Sequence, residues 1–337
     1  MVFRGQTLGK YRIIEPLGSG GFGTVYLAED TWIAKRVALK VPHRQNLDFD
    51  ELLKEPRLLA SLGHPNIVTV ITAEKQDNVF FIVMEYVHGE TLETLIAHKG
   101  ALDLMQALDY TAQICNAVEH AHRHNVLHRD LRPANVFVSD KGLLKVGDFG
   151  TSRVLEIAAH GTTVIGSPPY MAPEQFDGRA VFASDLYSIG ITMYQMLTGA
   201  LPYDTPAPAD IARLKRGELV TPPRQRNSAI PKVINDIVMR ALSPDVSTRY
   251  QRAEDLLTDL IAARRELVRR PAASHTPPAT PTPAGAGITP RPTPGARSTP
   301  SITRVRPRET PTARFCWQCR KPLPARGIRC PFCGETQ

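Results

Sequence analysis

Eight residues, His128-Arg129-Asp130-Leu131-Arg132-Pro133-Ala134-Asn135, carry the densest chemistry in the chain. They hold a carboxylate at Asp130, an amide at Asn135 five residues later, and guanidiniums at Arg129 and Arg132. Asp148-Phe149-Gly150 begins thirteen residues beyond Asn135. A carboxylate that can accept a hydroxyl proton, plus an amide and a second carboxylate that can share a divalent cation, is what phosphoryl transfer needs. Taken singly, each of these residues is a common turn former or helix cap. The remaining parts of a nucleotide site must therefore be found elsewhere in the chain.

The first of these is a glycine-rich turn, Gly18-Ser19-Gly20-Gly21-Phe22-Gly23-Thr24-Val25. Glycines there let the backbone approach phosphates and offer N–H donors. The turn lies between two alternating runs, Tyr11–Leu17 and Thr24–Glu29, and a third run, Arg36–Val41, completes an antiparallel meander. A dinucleotide-binding turn would open a helix, whereas Thr24-Val25-Tyr26-Leu27 is strand-like. Lys40, seventeen residues after Gly23, can reach under the turn. A helix over about 48–62, with Leu52, Leu53, Leu58, Leu59 and Leu62 on its apolar face, offers Glu51 and Glu55 as partners for Lys40. Pro56 predicts that this helix starts late or kinks.

Strands are predicted over Ile67–Ala73 and Val79–Tyr86. Leu104, Leu108, Cys115, Val118 and His122 then recur at helical steps, which makes Cys115 a packing residue. Short strands over Val126–Asp130 and Leu143–Val146 would set Asn135 and Asp148 on ligand-facing turns. Residues 151–171 lack strong periodicity and include Thr162, Thr163 and Ser167, and a loop of this length is uncommon without a function. The run from Ala183 to Leu197 is apolar on all sides and reads as a buried helix with Gly199 as its C-cap. Amphipathic helices follow at about 231–242 and 252–268.

The chain has 337 residues, and no window of 18 consecutive apolar residues. Its first residues lack an apolar signal core, so the expected location is cytoplasmic. The net charge of +8 is unevenly placed: residues 269–337 hold 12 basic and two acidic groups, and the remainder is slightly acidic. Any argument for an acidic partner or nucleic acid therefore belongs to the tail. Between Pro271 and Pro311 stand eleven prolines and eight threonines, which predicts an extended, disordered linker. Cys316-Trp317-Gln318-Cys319 and Cys330-Pro331-Phe332-Cys333 follow, ten residues apart, and read as a zinc ribbon with four thiolate ligands.

Together these motifs resemble those of a eukaryotic-type protein kinase, in its bacterial serine/threonine branch, over residues 11–268. The resemblance implies an α+β, two-lobed kinase fold. Its N-terminal lobe (about 11–86) would be an antiparallel sheet with one helix, and its C-terminal lobe (about 87–268) mainly helical. The linker (269–313) and zinc ribbon (314–337) come after it. By the resemblance, Gly18, Gly20 and Gly23 would cover the phosphates of ATP, and Lys40 would hold the α- and β-phosphates while paired with Glu55. Val25 and Ala38 would enclose the adenine with Met84 behind it, and the backbone of Glu85 and Val87 would bond its edge. Asp130 would accept the proton of the substrate hydroxyl, while Asn135 and Asp148 would bind Mg2+ (or Mn2+). Glu174 would pair with Arg249, and Asp185 would anchor the catalytic loop.

Three positions bear on activity and substrate. Arg132 stands where serine/threonine members usually have Lys, a planar fork in place of a point charge. Ser167 occupies the place of the threonine typical of serine/threonine kinases. Pro56 directly follows Glu55 and could displace its helix. Phosphate on Thr162 or Thr163 would pair with Arg129 and order the activation loop. Protein substrates are implied, and the ribbon is expected to dock a protein in preference to nucleic acid, since few aromatics interleave with the tail arginines. The competing reading is a pseudokinase scaffold, which the presence of Lys40, Glu55, Asp130, Asn135 and Asp148 disfavours.

Overall fold

A computed structural model of the chain describes residues 3–20, 23–43, 45, 49–149, 167–269, 314–315, 322–323 and 329. Thr162, Thr163, the four cysteines of the tail and nearly all of the linker lie outside the described residues, as does the side chain of Glu55.

The N-terminal part is a six-stranded antiparallel sheet in the order β1-β2-β3-β4-β6-β5. Its strands are β1 (Thr7–Leu8), β2 (Tyr11–Gly20), β3 (Gly23–Asp30), β4 (Lys35–Pro42), β5 (Val70–Gln76) and β6 (Val79–Glu85). Strand β6 explains how the layers form. Its run Phe80-Phe81-Ile82-Val83 is apolar at every position, as a strand covered on both faces must be. Phe81 and Val83 join Tyr11, Ile13, Val37 and Leu39 on one side, and Phe80 and Ile82 meet Leu52 of helix α1 (Phe49–Ala60) on the other.

Helix α1 starts before Pro56 and runs through it to Ala60, against the expectation of a late start. Proline removes one bond from the ladder, at about 3 kcal/mol in a helix interior. Burial of Leu52 against Phe80 and Ile82 offsets that loss, at about 1.5–3 kcal/mol for each large apolar side chain covered. The predicted strand Ile67–Ala73 is displaced along the chain, running from Val70 to Gln76. The N–H groups before it are diverted: that of Val68 donates to Val146 O at 2.9 Å and that of Thr69 to the Glu85 carboxylate at 2.7 Å.

The C-terminal part is mainly helical. A small sheet of β7 (Gly89–Thr91), β8 (Val136–Ser139) and β9 (Leu144–Val146) lies beside helices α2 (Leu92–Lys99) and α3 (Leu104–Arg123). Helix α4 (Phe182–Thr198) is buried along nearly its whole length. A Cβ on its Gly190 would lie 2.9 Å from both Ala241 and Leu242, so glycine is what lets α4 approach this neighbouring segment. Gly199 ends α4 with φ 73°, a left-handed cap, and its N–H donates to Gln195 O. Short helices α5 (Ile211–Lys215) and α6 (Pro223–Arg226) lead to α7 (Lys232–Ala241) and α8 (Ala253–Arg269). Cys115 on α3 is fully buried, as its helical spacing predicted, and burial pushes its thiol pKa up. Among the described residues, no helix is long and apolar enough to cross a membrane.

One ion pair locks this half of the molecule. Arg249 is fully buried, and its guanidinium grips Glu174 with two bonds of 2.7 and 3.1 Å while also donating to the carbonyls of Ala183 and Ser243. Ser184 Oγ adds a third bond to Glu174. Burial pushes the Glu174 carboxyl pKa up, but the Arg249 bonds and charge outweigh it and hold the pKa below its ordinary 4.5. The folded carboxyl thus binds a proton less readily than the unfolded one. Its contribution to stability is complete above pH 4.5 and is lost as acid protonates it below that value. Arg249→Ala leaves the largely covered Glu174 carboxylate with the Ser184 hydroxyl and no guanidinium, and is expected to cost about 3–5 kcal/mol in denaturant unfolding at neutral pH. The deficit relative to wild type should shrink below pH 4.5. A loss under about 1 kcal/mol would show that the pair behaves like an exposed one.

Candidate active site

The segment Val126–Asp130 is not a strand, and the reason defines the site. The Val126 N–H closes back on Ala121 O at the end of α3, and two later N–H groups go to a side chain and not to a neighbouring strand. Those of His128 and Arg129 each donate at 2.9 Å to the carboxylate of Asp185 on α4. His122 Nε2, at the end of α3, bonds the same carboxylate at 2.7 Å. Burial pushes the Asp185 pKa up, but the His122 bond and the pull of His122 and His128 hold it below the usual aspartate value. Arg129 has φ 67°, a left-handed conformation that costs a non-glycine residue about 1–2 kcal/mol. The paired N–H bonds to Asp185 hold it there.

Above this anchor the reactive groups converge. Asn135 Nδ2 donates to the Asp130 backbone oxygen at 2.7 Å and to its carboxylate at 3.2 Å, which leaves Asn135 Oδ1 as the oxygen that can meet a cation. The Asn135 carbonyl accepts from Gly147 N–H, so Asp148 sits one residue from this contact. His128 Nε2 donates to Gly147 O at 2.9 Å, and its ring lies 4.6 Å from that of Phe149. Asp148 has φ 56°, a second left-handed non-glycine residue beside the loop.

Lys40 is buried on β4, and its Nζ donates to Asp148 Oδ1 at 2.9 Å. Burial raises the Asp148 pKa, but the Lys40 charge and hydrogen bond, with His128, bring it below the usual value. Both side chains line a small cavity of about 20 Å³ with Leu59, Met84 and Phe149. Asn135 and Asp148 together offer the hard oxygen donors that Mg2+ prefers, so the residues fit that ion.

The remaining predicted residues surround this centre. Ala38 pairs with Met84 across β4 and β6, and Val25 pairs with Lys40 across β3 and β4. The Glu85 N–H is spent on Thr69 O, so any ligand bond from its main chain must come from the carbonyl; Val87 lies between β6 and β7. Among the described residues, a Cβ on Gly18 or Gly20 would meet nothing within 4 Å, whereas one on Gly23 would collide with Val41 O and lie 2.9 Å from Pro42 Cα. On the opposite side, Asp130 Oδ1 accepts from Ser167 N–H at 3.1 Å, and Arg132 Nη1 donates to Ser167 Oγ at 2.7 Å.

Sequence reasoning passed over three supporting residues. His122 reads as one more apolar-face position of α3, because nothing local signals a partner on α4. Gln175, whose amide donates to Arg129 O at 3.1 Å, and Glu93, which meets Arg132, lie on separate elements. Only a capping pattern, Thr91 before Leu92–Lys99, could have marked the helix that carries Glu93.

The family model described as protein kinase domain matches residues 11–261. Among curated proteins, serine/threonine-protein kinase PrkC of Bacillus subtilis is 36% identical over 263 residues, covering 76% of this chain and 40% of the relative. A probable serine/threonine-protein kinase of Clostridium perfringens is 35% identical over 270 residues, covering 78% and 39%. Serine/threonine-protein kinase PknB of Mycolicibacterium smegmatis is 35% identical over 266 residues, covering 75% and 42%. The matched part thus spans about two fifths of these relatives' length. A crystal structure of Rad53 1-466 in complex with AMP-PNP superposes with a TM-score of 0.65 at 27% identity, covering 74% of this chain and 64% of that one.

The glycines of the turn separate by cause. Gly23→Ala forces backbone against backbone and is expected to lower stability by about 1–3 kcal/mol in thermal or denaturant unfolding. Gly20→Ala, in open space, should cost less than about 1 kcal/mol. Equal losses would mean that the Gly23 contact with β4 is not what requires glycine there.

Proposed function

The chain belongs to the protein kinase domain family, and on that premise we propose that it transfers the γ-phosphate of ATP to serine and threonine hydroxyls of proteins. The observation that carries this reading is the placement of the Asp130 carboxylate, held by Asn135 on one side and by the Ser167 N–H on the other. Proline at position 167 would have neither the N–H for Asp130 nor the hydroxyl for Arg132.

Bound ATP with Mg2+ (or Mn2+) supplies the phosphoryl group and neutralises its charge. Asp130 orients the acceptor hydroxyl and takes its proton. Asn135 and Asp148 hold the cation through oxygen atoms, and Lys40 holds the α- and β-phosphates with Glu55 as its further partner. Gly18, Gly20 and Gly23 lay backbone over the phosphates, Val25 and Ala38 enclose the adenine, and the main chain of Glu85 and Val87 bonds its edge. Arg132 steadies the acceptor side through Ser167. Because the transferred group reacts through a loose transition state, this positioning and charge neutralisation supply most of the rate.

Thr162 and Thr163 are the acceptors of autophosphorylation in this reading, and a phosphate there would pair with Arg129. Labelled γ-phosphate should pass from ATP to the chain itself and to a generic basic protein. Asp130→Asn should lower transfer by at least about 100-fold, and the label should map to Thr162 or Thr163. No transfer by the wild type, or equal transfer by Asp130→Asn, would overturn the kinase reading. Equal activity of the phosphorylated and dephosphorylated enzyme would overturn the regulatory part.

Cys316, Cys319, Cys330 and Cys333 bind one zinc ion as thiolates, in a module too short to form a core without metal. The antiparallel pair Arg314–Phe315 and Pro322–Leu323, which brackets the first two cysteines, supports a ribbon. The ribbon docks a protein partner to the kinase. Elemental analysis of the full chain should find one zinc per molecule, and Cys330→Ser with Cys333→Ser should abolish it. A metal content unchanged by that double substitution would contradict the assignment.

A further inference from the structure

Arg132 links three elements. Its Nη1 donates to Ser167 Oγ at 2.7 Å, and its Nη2 pairs with Glu93 Oε1 at 3.1 Å. Its guanidinium carbon lies 5.9 Å from the centre of the Tyr170 ring. Glu93 belongs to the first turn of α2, and Ser167 directly precedes the turn Pro168–Tyr170. The third guanidinium nitrogen, Nε, is buried without a hydrogen-bond partner among the described residues. Among the described residues, the hydrogen bonds that fix the plane of the fork are those of its two Nη atoms, with the Tyr170 ring beside it. One rigid plane satisfies both, because the guanidinium spreads its donors in fixed directions, whereas an amine on a flexible stem offers no such fork.

We infer that Glu93 is a positioning residue for the transfer reaction: by holding one arm of the Arg132 fork, it aims the other at Ser167. This rests on the reading of Asp130 and Ser167 as the acceptor side of a kinase site. Ser167 is then gripped twice, its N–H by Asp130 and its hydroxyl by Arg132, and the second grip depends on a carboxylate from α2. It also gives the arginine a reason. Lysine at 132 could reach Ser167 but would gain no direction from Glu93, so α2 controls the loop only when arginine stands there. The contacts of the nucleotide side, from Lys40 to Asp148, do not involve Glu93.

The test is a double-mutant cycle read by steady-state transfer to a serine-containing protein, with Glu93→Gln made in the wild type and in Arg132→Lys. Glu93 is about half exposed, and an exposed pair contributes modestly, so Glu93→Gln should lower kcat/KM for the acceptor about two- to fivefold in the wild type. KM for ATP should stay unchanged, and Glu93→Asp should recover part of the loss. In the Arg132→Lys background the same substitution should have no effect. An equal loss in both backgrounds, or none in the wild type, overturns the inference. If the wild type transfers no phosphate, the kinase reading fails, and a crystal structure of Glu93→Gln decides the positioning claim separately. An Arg132 Nη1 still on Ser167 Oγ would overturn it, and a fork turned away would uphold it.

Discussion

A single buried carboxylate organises the loop His128–Asn135. Asp185 sits on α4, the most buried helix, and accepts from the backbone of His128 and Arg129 and from the ring of His122. A buried charge is costly unless fully bonded, and three donors satisfy this one. In return, two consecutive N–H groups that would otherwise be orphaned are held, and Arg129 is kept in its left-handed conformation. Asp130 comes next in the chain, so its direction follows from that restraint.

The rest of the site is tied to this anchor by short polar links between elements. Asn135 bonds back to Asp130, and Gly147 bonds to Asn135, which carries the restraint to Asp148. Asp148 then meets Lys40 of the N-terminal sheet. Asn66 adds a second join between the two parts: its amide donates to Leu144 O and to Gln113, and its carbonyl accepts from Val146. Lys145 reaches from β9 to Glu85 at the end of β6 at 2.7 Å. The two-lobed kinase fold thus positions its chemistry across the lobe boundary through named bonds, while the Glu174–Arg249 pair stiffens the C-terminal part behind them.

Much of this was legible in the sequence because the reactive residues sit in short local motifs. The glycine turn, Lys40 and the residues from His128 to Asp148 could be read from spacing, and the alternation of β2 to β4 and the apolar run of α4 stated their own periods. Asp185 and the Glu174–Arg249 pair came through family resemblance, since their partners are far apart in the chain. What failed had a common cause. Val126–Asp130 reads as a strand because its residues suit one, yet the N–H groups of His128 and Arg129 are claimed by an aspartate more than fifty residues away. Thr69 loses its strand role to the Glu85 side chain in the same way. Glu93 and His122 carry no local mark, because their meaning lies in a partner on another element. The late start that Pro56 predicts by local propensity is absent, because packing of α1 on β6 holds the turns before it.

The dependence of the loop His128–Asn135 on Asp185, in the proposed kinase reading, is measured most directly with Asp185→Asn, which keeps the shape but replaces a carboxylate oxygen by a donor. Single-turnover phosphoryl transfer and ATP affinity should be followed together, on protein shown to be folded by its near-ultraviolet circular dichroism. The restraint on the loop predicts a fall in transfer of about 100-fold with ATP affinity within about threefold of wild type, as misplacing a reactive group by about 1 Å would cause. Transfer within about twofold of wild type would contradict it, because Asp130 would then find its place without the buried anchor.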